Sequence, residues 1–150
     1  MKNLRILAGL AVIVAAVAFA LSQAGGSKTA YLSDKQIRVN STVIKAEVAS
    51  TSAKQAKGLG GRACIGNNQG MLFVFNRPSN YAFWMKDMRF PIDIIWIDAN
   101  HKVVAEEIDV QPSTYPDRFV NKDKPAQYVL ELKAERARSL KINLGTHIDF

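Results

Sequence analysis

"FWMKDMRFPIDIIWID", residues 83–98, is a run of aromatic and aliphatic side chains that belongs in a protein interior, yet Lys86, Asp87, Arg89 and Asp93 interrupt it. Read as a strand, its first part sets Ala82, Trp84 and Lys86 on one face and Tyr81, Phe83 and Met85 on the other. Pro91 has no N–H for a sheet ladder, so it marks a bulge, an edge or the start of the next strand, "IDIIWID". Trp84 beside Lys86 offers a flat apolar surface next to a cation, which suits a ring carrying an anionic substituent. Lys86 could equally pair with Asp93 across two strands, an ordinary surface ion pair worth about 0–1 kcal/mol.

The same alternation continues on both sides. "QIRVNSTVIKAEVA", residues 36–49, reads as one long strand or two short ones, and "GMLFVF", residues 70–75, as a buried strand. "NRPSN", residues 76–80, reads as a turn that would pair "GMLFVF" with "YAFWMK" as a hairpin. "VVAEEIDV" and "AQYVLEL" add two further strands, and "THIDF" can close the sheet. Two helices are expected. One follows a capping box formed by Ser52 and Gln55 and stops at Gly58 or Gly60. The other lies in "KAERARSLKI" with Ala134, Ala137 and Leu140 facing inward. Residues 111–125 hold three of the five prolines and form a long irregular loop, of the length that in compact domains is more often functional than idle. The fold class is therefore mainly β, or α+β: a compact antiparallel sheet or barrel-like domain with two short helices.

The chain opens with Lys2 and Arg5 ahead of an uncharged run from Ile6 to Leu21, followed by small residues. These are the three parts of an export signal. At 16 residues the run exceeds the ~7–15 of a signal core and falls short of the ~20 that span a bilayer comfortably, so residues 1–24 read as a cleaved signal peptide or an uncleaved membrane anchor. Either leaves the body outside the cytoplasm, as a periplasmic, secreted or membrane-anchored domain. Residues 25–35 read as a flexible tether and residues 36–150 as the folded domain, which is expected to be monomeric.

Charge and composition exclude several function classes. The formal charge is +7, or +5 without Lys2 and Arg5, and it is spread among acidic residues rather than gathered into a nucleic-acid-binding block. Such a body has a mild affinity for anionic surfaces. Cys64 is the single cysteine and cannot form an intrachain disulfide; a small half-buried hydrophobe is its common fate. His101 and His147 have no second ligand at metal-binding spacing. No phosphate-binding loop, nucleophile elbow or dinucleotide fingerprint is present, and no cofactor is indicated.

"KGLGGR", "GMLFVF", "FWMKDMRFPIDIIWID" and "YVLEL" occur in the order and spacing of the DUF192 (UPF0127) family of small bacterial and archaeal proteins, which this chain resembles over residues 39–150. The resemblance implies a compact β-rich domain, is consistent with an export leader, and supplies no reaction. The chain departs from the pattern at Gly60, where a bulky apolar residue is common, and at Asp87-Met88, where Asn-Thr is common. Among the pattern's positions the polar ones, Arg62, Lys86, Asp93 and Glu131, are informative, because charges set among aromatics are costly unless paired or used.

The expected function is that of an exported or tethered, non-catalytic binding or accessory domain of the cell envelope. Its ligand, anionic or sugar-like, would meet Arg62, Trp84, Met85, Lys86, Asp93 and Glu131. The alternatives are an extracytoplasmic hydrolase or transferase with Asp93 or Glu131 as acid or base, and a structural module whose aromatic wall docks a partner protein.

Overall fold

The computed structural model describes residues 34–150; the expected leader, and the tether up to residue 33, lie outside the described residues. Asp34 and Lys35, the last two residues of the expected tether, already belong to the first strand. The domain is mainly β with two short helices. A six-stranded sheet runs in the order β1-β2-β3-β8-β5-β6, and β4 and β7 form a two-stranded sheet of their own.

β1 (Asp34–Val39) and β2 (Thr42–Ala49) are the two short strands of the first alternating segment. They join through Asn40, whose φ of 53° is one that Asn tolerates better than most residues, and whose amide donates to the Leu140 carbonyl at 2.9 Å. α1 (Ser52–Lys57) then crosses over, so that β3 (Gln69–Ser79) pairs parallel to β2. The sheet is thus mixed rather than antiparallel throughout. A parallel neighbour needs a long connection, and the residues between Ala49 and Gln69 supply one.

The cap of α1 differs by one residue from the expected one. Thr51, not Ser52, is the N-cap, its hydroxyl accepting from the Lys54 N–H at 3.3 Å. The Gln55 side chain does not complete a capping box; it donates to the Val74 carbonyl at 2.9 Å, tying the crossover to the sheet. The helix ends at Gly58, with φ 51°, as expected.

β3 continues through "NRPSN" to Ser79 instead of turning, with a register shift between Val74 and Ser79. The expected hairpin does not form. β4 (Ala82–Phe83) pairs with β7 (Phe119–Val120) from the proline-rich loop, and Trp84 to Lys86 leave the strand. β5 (Ile92–Ile97) begins right after Pro91 and lies between β8 (Ala126–Lys133) and β6 (Val103–Val110), antiparallel to both. α2 is confined to Arg136–Ser139, with Ala137 buried.

The C-terminal segment meets one edge strand at Arg38–Asp149 and the entry to the other at Lys102–His147. These are isolated bridges, so the sheet is not closed into a barrel.

Each central strand buries both faces, and the period of two divides the interior into two cores. On one face Ile37, Ile44, Leu72, Leu130, Leu132, Ile95 and Ile97 pack with Ala137, Leu140 and Ile148. On the other, Met71, Phe73, Val129, Ile92, Ile94 and Trp96 pack with Leu59, Phe83, Met85 and Phe90. The crossover and the opening stretch of the sequence therefore cover the same face, and a cleft lies between them.

Candidate functional site

A cleft of about 150 Å³ opens between the end of α1 and the Ala82–Lys86 segment. Its walls include Leu59, Phe73, Phe75, Tyr81, Phe83 and Trp84, and Glu131 reaches it from β8. The aromatic wall is held edge to face: Phe83 lies 4.8 Å from Phe73 and 6.0 Å from Trp96, both at 88°. The Trp96 indole N–H donates to the Tyr81 carbonyl at 3.0 Å and fixes the chain as it enters β4.

Glycines bring the opposite wall close. A Cβ on Gly60 would lie 3.0 Å from the Lys57 carbonyl oxygen and 3.4 Å from that of Lys86, so a bare backbone lets this turn lie against the Lys86–Asp87 backbone. The Gly61 N–H donates to the Asp87 carbonyl at 2.8 Å, stitching the two walls together. Gly58, in its left-handed conformation, passes over the Glu131 carboxyl: a Cβ there would sit 3.9 Å from Oε2.

Glu131 is the chemically informative group. It is 5% exposed, and its Oε2 has no hydrogen-bond partner among the described residues. Burial pushes its pKa up to about 8, only partly opposed by the Arg62 guanidinium. At neutral pH it is therefore mostly a neutral acid, able to donate its own proton in a hydrogen bond and to accept another. Among the described residues it is the one carboxyl group that lines the cleft.

The other sequence-nominated residues divide clearly. Trp84 and Lys86 line the cleft with Glu131; Trp84 is 41% exposed, and the Lys86 ammonium lies 5.9 Å from its ring centre. Met85 points the other way and is a core residue at 1% exposure.

Arg62 lies beside the cleft, and both of its terminal nitrogens bind the Glu47 carboxylate, one at 2.8 Å. That bidentate pair holds the Glu47 carboxyl below its usual range and raises the guanidinium, which anchors the turn after α1 to β2.

Asp93 is on the far face. It is fully buried and accepts backbone N–H groups from Asp109 at 3.0 Å, Glu135 at 2.9 Å and Ala137 at 2.7 Å. Burial raises its pKa against the pull of those three donors. Neither a Lys86–Asp93 pair nor a common Asp93–Glu131 site forms. Cys64, expected to be half buried, is exposed.

Two cleft-mouth residues escaped sequence reasoning. Arg118 places its guanidinium 4.9 Å from the Trp84 ring, and Tyr115 lies 5.9 Å away, tilted at 60°. Both come from the proline-rich loop, whose length alone was the signal.

The structure is similar to a protein of unknown function from Novosphingobium aromaticivorans DSM 12444, with a TM-score of 0.71 at 30% identity, covering 84% of this chain and 100% of that one. It is also similar to a candidate transcription regulator from Sinorhizobium meliloti 1021, with a TM-score of 0.69 at 23% identity, covering 76% and 89%; at that identity the likeness is one of fold alone. No curated protein matches the chain. The DUF192 family profile, described as Uncharacterized ACR, matches residues 35–150, and the chain belongs to that family.

Proposed function

We propose that this protein is an exported or membrane-tethered binding domain of the cell envelope, which takes a small ring-bearing polar ligand into the cleft above Glu131 without transforming it. One observation carries the reading: a buried carboxyl oxygen without a partner at the base of an aromatic-walled cleft. Leaving such a group unpaired costs about 1–3 kcal/mol, which a ligand hydroxyl or carbonyl would recover. The aromatic wall supplies the apolar face of a ring, and the neutral acid supplies a directed hydrogen bond. A cleft lined by a single carboxyl suits binding better than glycoside hydrolysis, which requires a pair at set separation. The export leader supports an envelope location.

The test is to purify the full-length chain from its native envelope and identify small molecules released on denaturation by mass spectrometry. A hydroxylated ring compound bound to the native protein and lost from Glu131→Ala is the expected result. Equal recovery from both proteins would refute the cleft as its site. The same spectrum reports the mature N-terminus, and so whether the leader is removed.

A further inference from the structure

The cleft does not end at Lys86. It runs into an open trough of about 560 Å³ that shares Ala56, Lys57, Gly60, Lys86 and Met88 with it and adds Arg89 and Asp87. Sites that bury a small molecule occupy ~300–1,000 Å³; the cleft alone falls below that range, and cleft and trough together fall within it. The two halves differ in chemistry. The cleft is walled by aromatic rings around a single neutral acid; Lys57 and Lys86 stand where cleft and trough meet, and the trough, which has no aromatic wall, adds Arg89 and the carboxylate of Asp87. None of the three cations has an ion-pair partner among the described residues. Arg118 adds a fourth cation at the Trp84 ring.

We infer that cleft and trough form one bipartite site for an acidic glycan, in which one sugar ring stacks on Trp84 and hydrogen-bonds Glu131 while carboxylate groups of that ring and its neighbours lie along Lys57, Lys86 and Arg89. This deepens the reading of the cleft as a binding site and rests on it. The division of labour follows from solvent access. A buried neutral acid would repel an ionised group brought next to it once it lost its proton, so the anionic part belongs in the open half. There, exposed cations interact favourably with it at little desolvation cost. The same chemistry could come from a free sugar acid or from the repeat of an envelope polymer. Only the polymer fills the length of the trough.

The experiment uses the full-length chain, with quenching of tryptophan fluorescence and calorimetry as readouts. The probes are galacturonic acid, its trimer and a neutral galactose trimer, each at low and high salt. The acidic trimer is expected to bind at least about tenfold more tightly than the neutral trimer, with the gap closing as salt rises. R89A, at a position that lines the trough and not the cleft, should remove most of that gap and leave neutral-trimer binding unchanged. E131A, which removes both the donor and the acceptor, should weaken both trimers.

Acidic and neutral trimers binding alike at low salt would overturn the trough and leave the cleft standing. No binding of any of the three sugars would overturn the glycan assignment, while a different ring compound recovered from the native protein would still uphold the cleft. Monomer and trimer binding with equal affinity would identify the free sugar acid as the source and overturn the polymer.

Discussion

Asp93 and Glu131 lie one register step apart on neighbouring antiparallel strands, with Asp93 opposite Leu132 and Ile94 opposite Glu131, and they point to opposite faces of the sheet. Two carboxyl groups that the sequence offers as alternatives for one role thus have different ones. Asp93 gathers three backbone N–H groups, from Asp109 in β6, from Glu135 in the turn after β8 and from Ala137 in α2, while Glu131, which lines the cleft, keeps one buried oxygen without a partner.

Replacing Asp93 should therefore unfold the protein rather than silence it. Asp93→Ala strands three N–H donors in or near the interior and is expected to cost of order 3 kcal/mol or more, with Asp93→Asn costing less because one acceptor oxygen remains. Urea unfolding measures both. A loss below about 1 kcal/mol for the alanine variant would contradict the bracing role of this carboxylate.

Glu131 makes stability depend on pH in the direction opposite to acid denaturation. In the unfolded chain it ionises near 4.5, and in the folded domain near 8, so between those values the unfolded state binds fewer protons. Its contribution is fully present below pH 4.5 and declines by about 1.4 kcal/mol per pH unit until pH passes about 8. Glu131→Gln should flatten this segment of the stability curve and be the more stable protein at pH 8. Parallel wild-type and variant curves would show that the carboxyl titrates normally.

Arg62 acts on Glu131 through space as well as on Glu47 through hydrogen bonds. The pair with Glu47 is about a quarter to a third exposed, so its loss in Arg62→Ala should cost only ~1 kcal/mol. The sharper readout is electrostatic. Without the guanidinium, the folded pKa of Glu131 rises further, and carboxyl titration followed by NMR should show its midpoint moving upward. An unmoved midpoint would mean that solvent screens the two groups.

Glycine positions should separate packing from conformation. A Cβ on Gly70 would lie 2.7 Å from the Glu131 carbonyl oxygen and 2.9 Å from Leu132 Cδ2, forcing β3 away from β8. Gly70→Ala is expected to cost ~3 kcal/mol or more by overpacking. Gly58→Ala meets Phe73 at an ordinary 3.4 Å and suffers mainly from its backbone, φ 51° with ψ −138°, a penalty of ~1–3 kcal/mol. Thermal melts of the two variants give the ranking directly; equal melting points would show that the strand pair gives way at no cost.

Much of this architecture is legible in the residue pattern. The period of two locates β1, β2, β5, β6 and β8, and Pro91 and Gly58 mark where β5 starts and α1 stops. What the pattern cannot carry is pairing. "NRPSN" has turn chemistry, yet Asn76 to Ser79 continue β3 at its exposed end, where a proline costs no ladder bond inside the sheet.

The site is legible to a similar depth. Trp84 and Lys86 are neighbours in sequence and remain neighbours at the cleft. The destinations of Asp93 and Glu131 depended on which face each strand turned to which core, and a residue-level pattern contains both options. Arg118 and Tyr115 reach Trp84 only because β7 pairs with β4, a contact across more than thirty positions that no local signal announces.

The alternation along β8 has a genetic consequence. Leu130 and Leu132 serve one interior, Val129 and Glu131 the other, so adjacent codons in this strand answer to different selection. Saturation mutagenesis scored separately for abundance and for ligand capture should return a two-residue beat: abundance falling at the leucines, and capture falling, with abundance kept, at the glutamate between them.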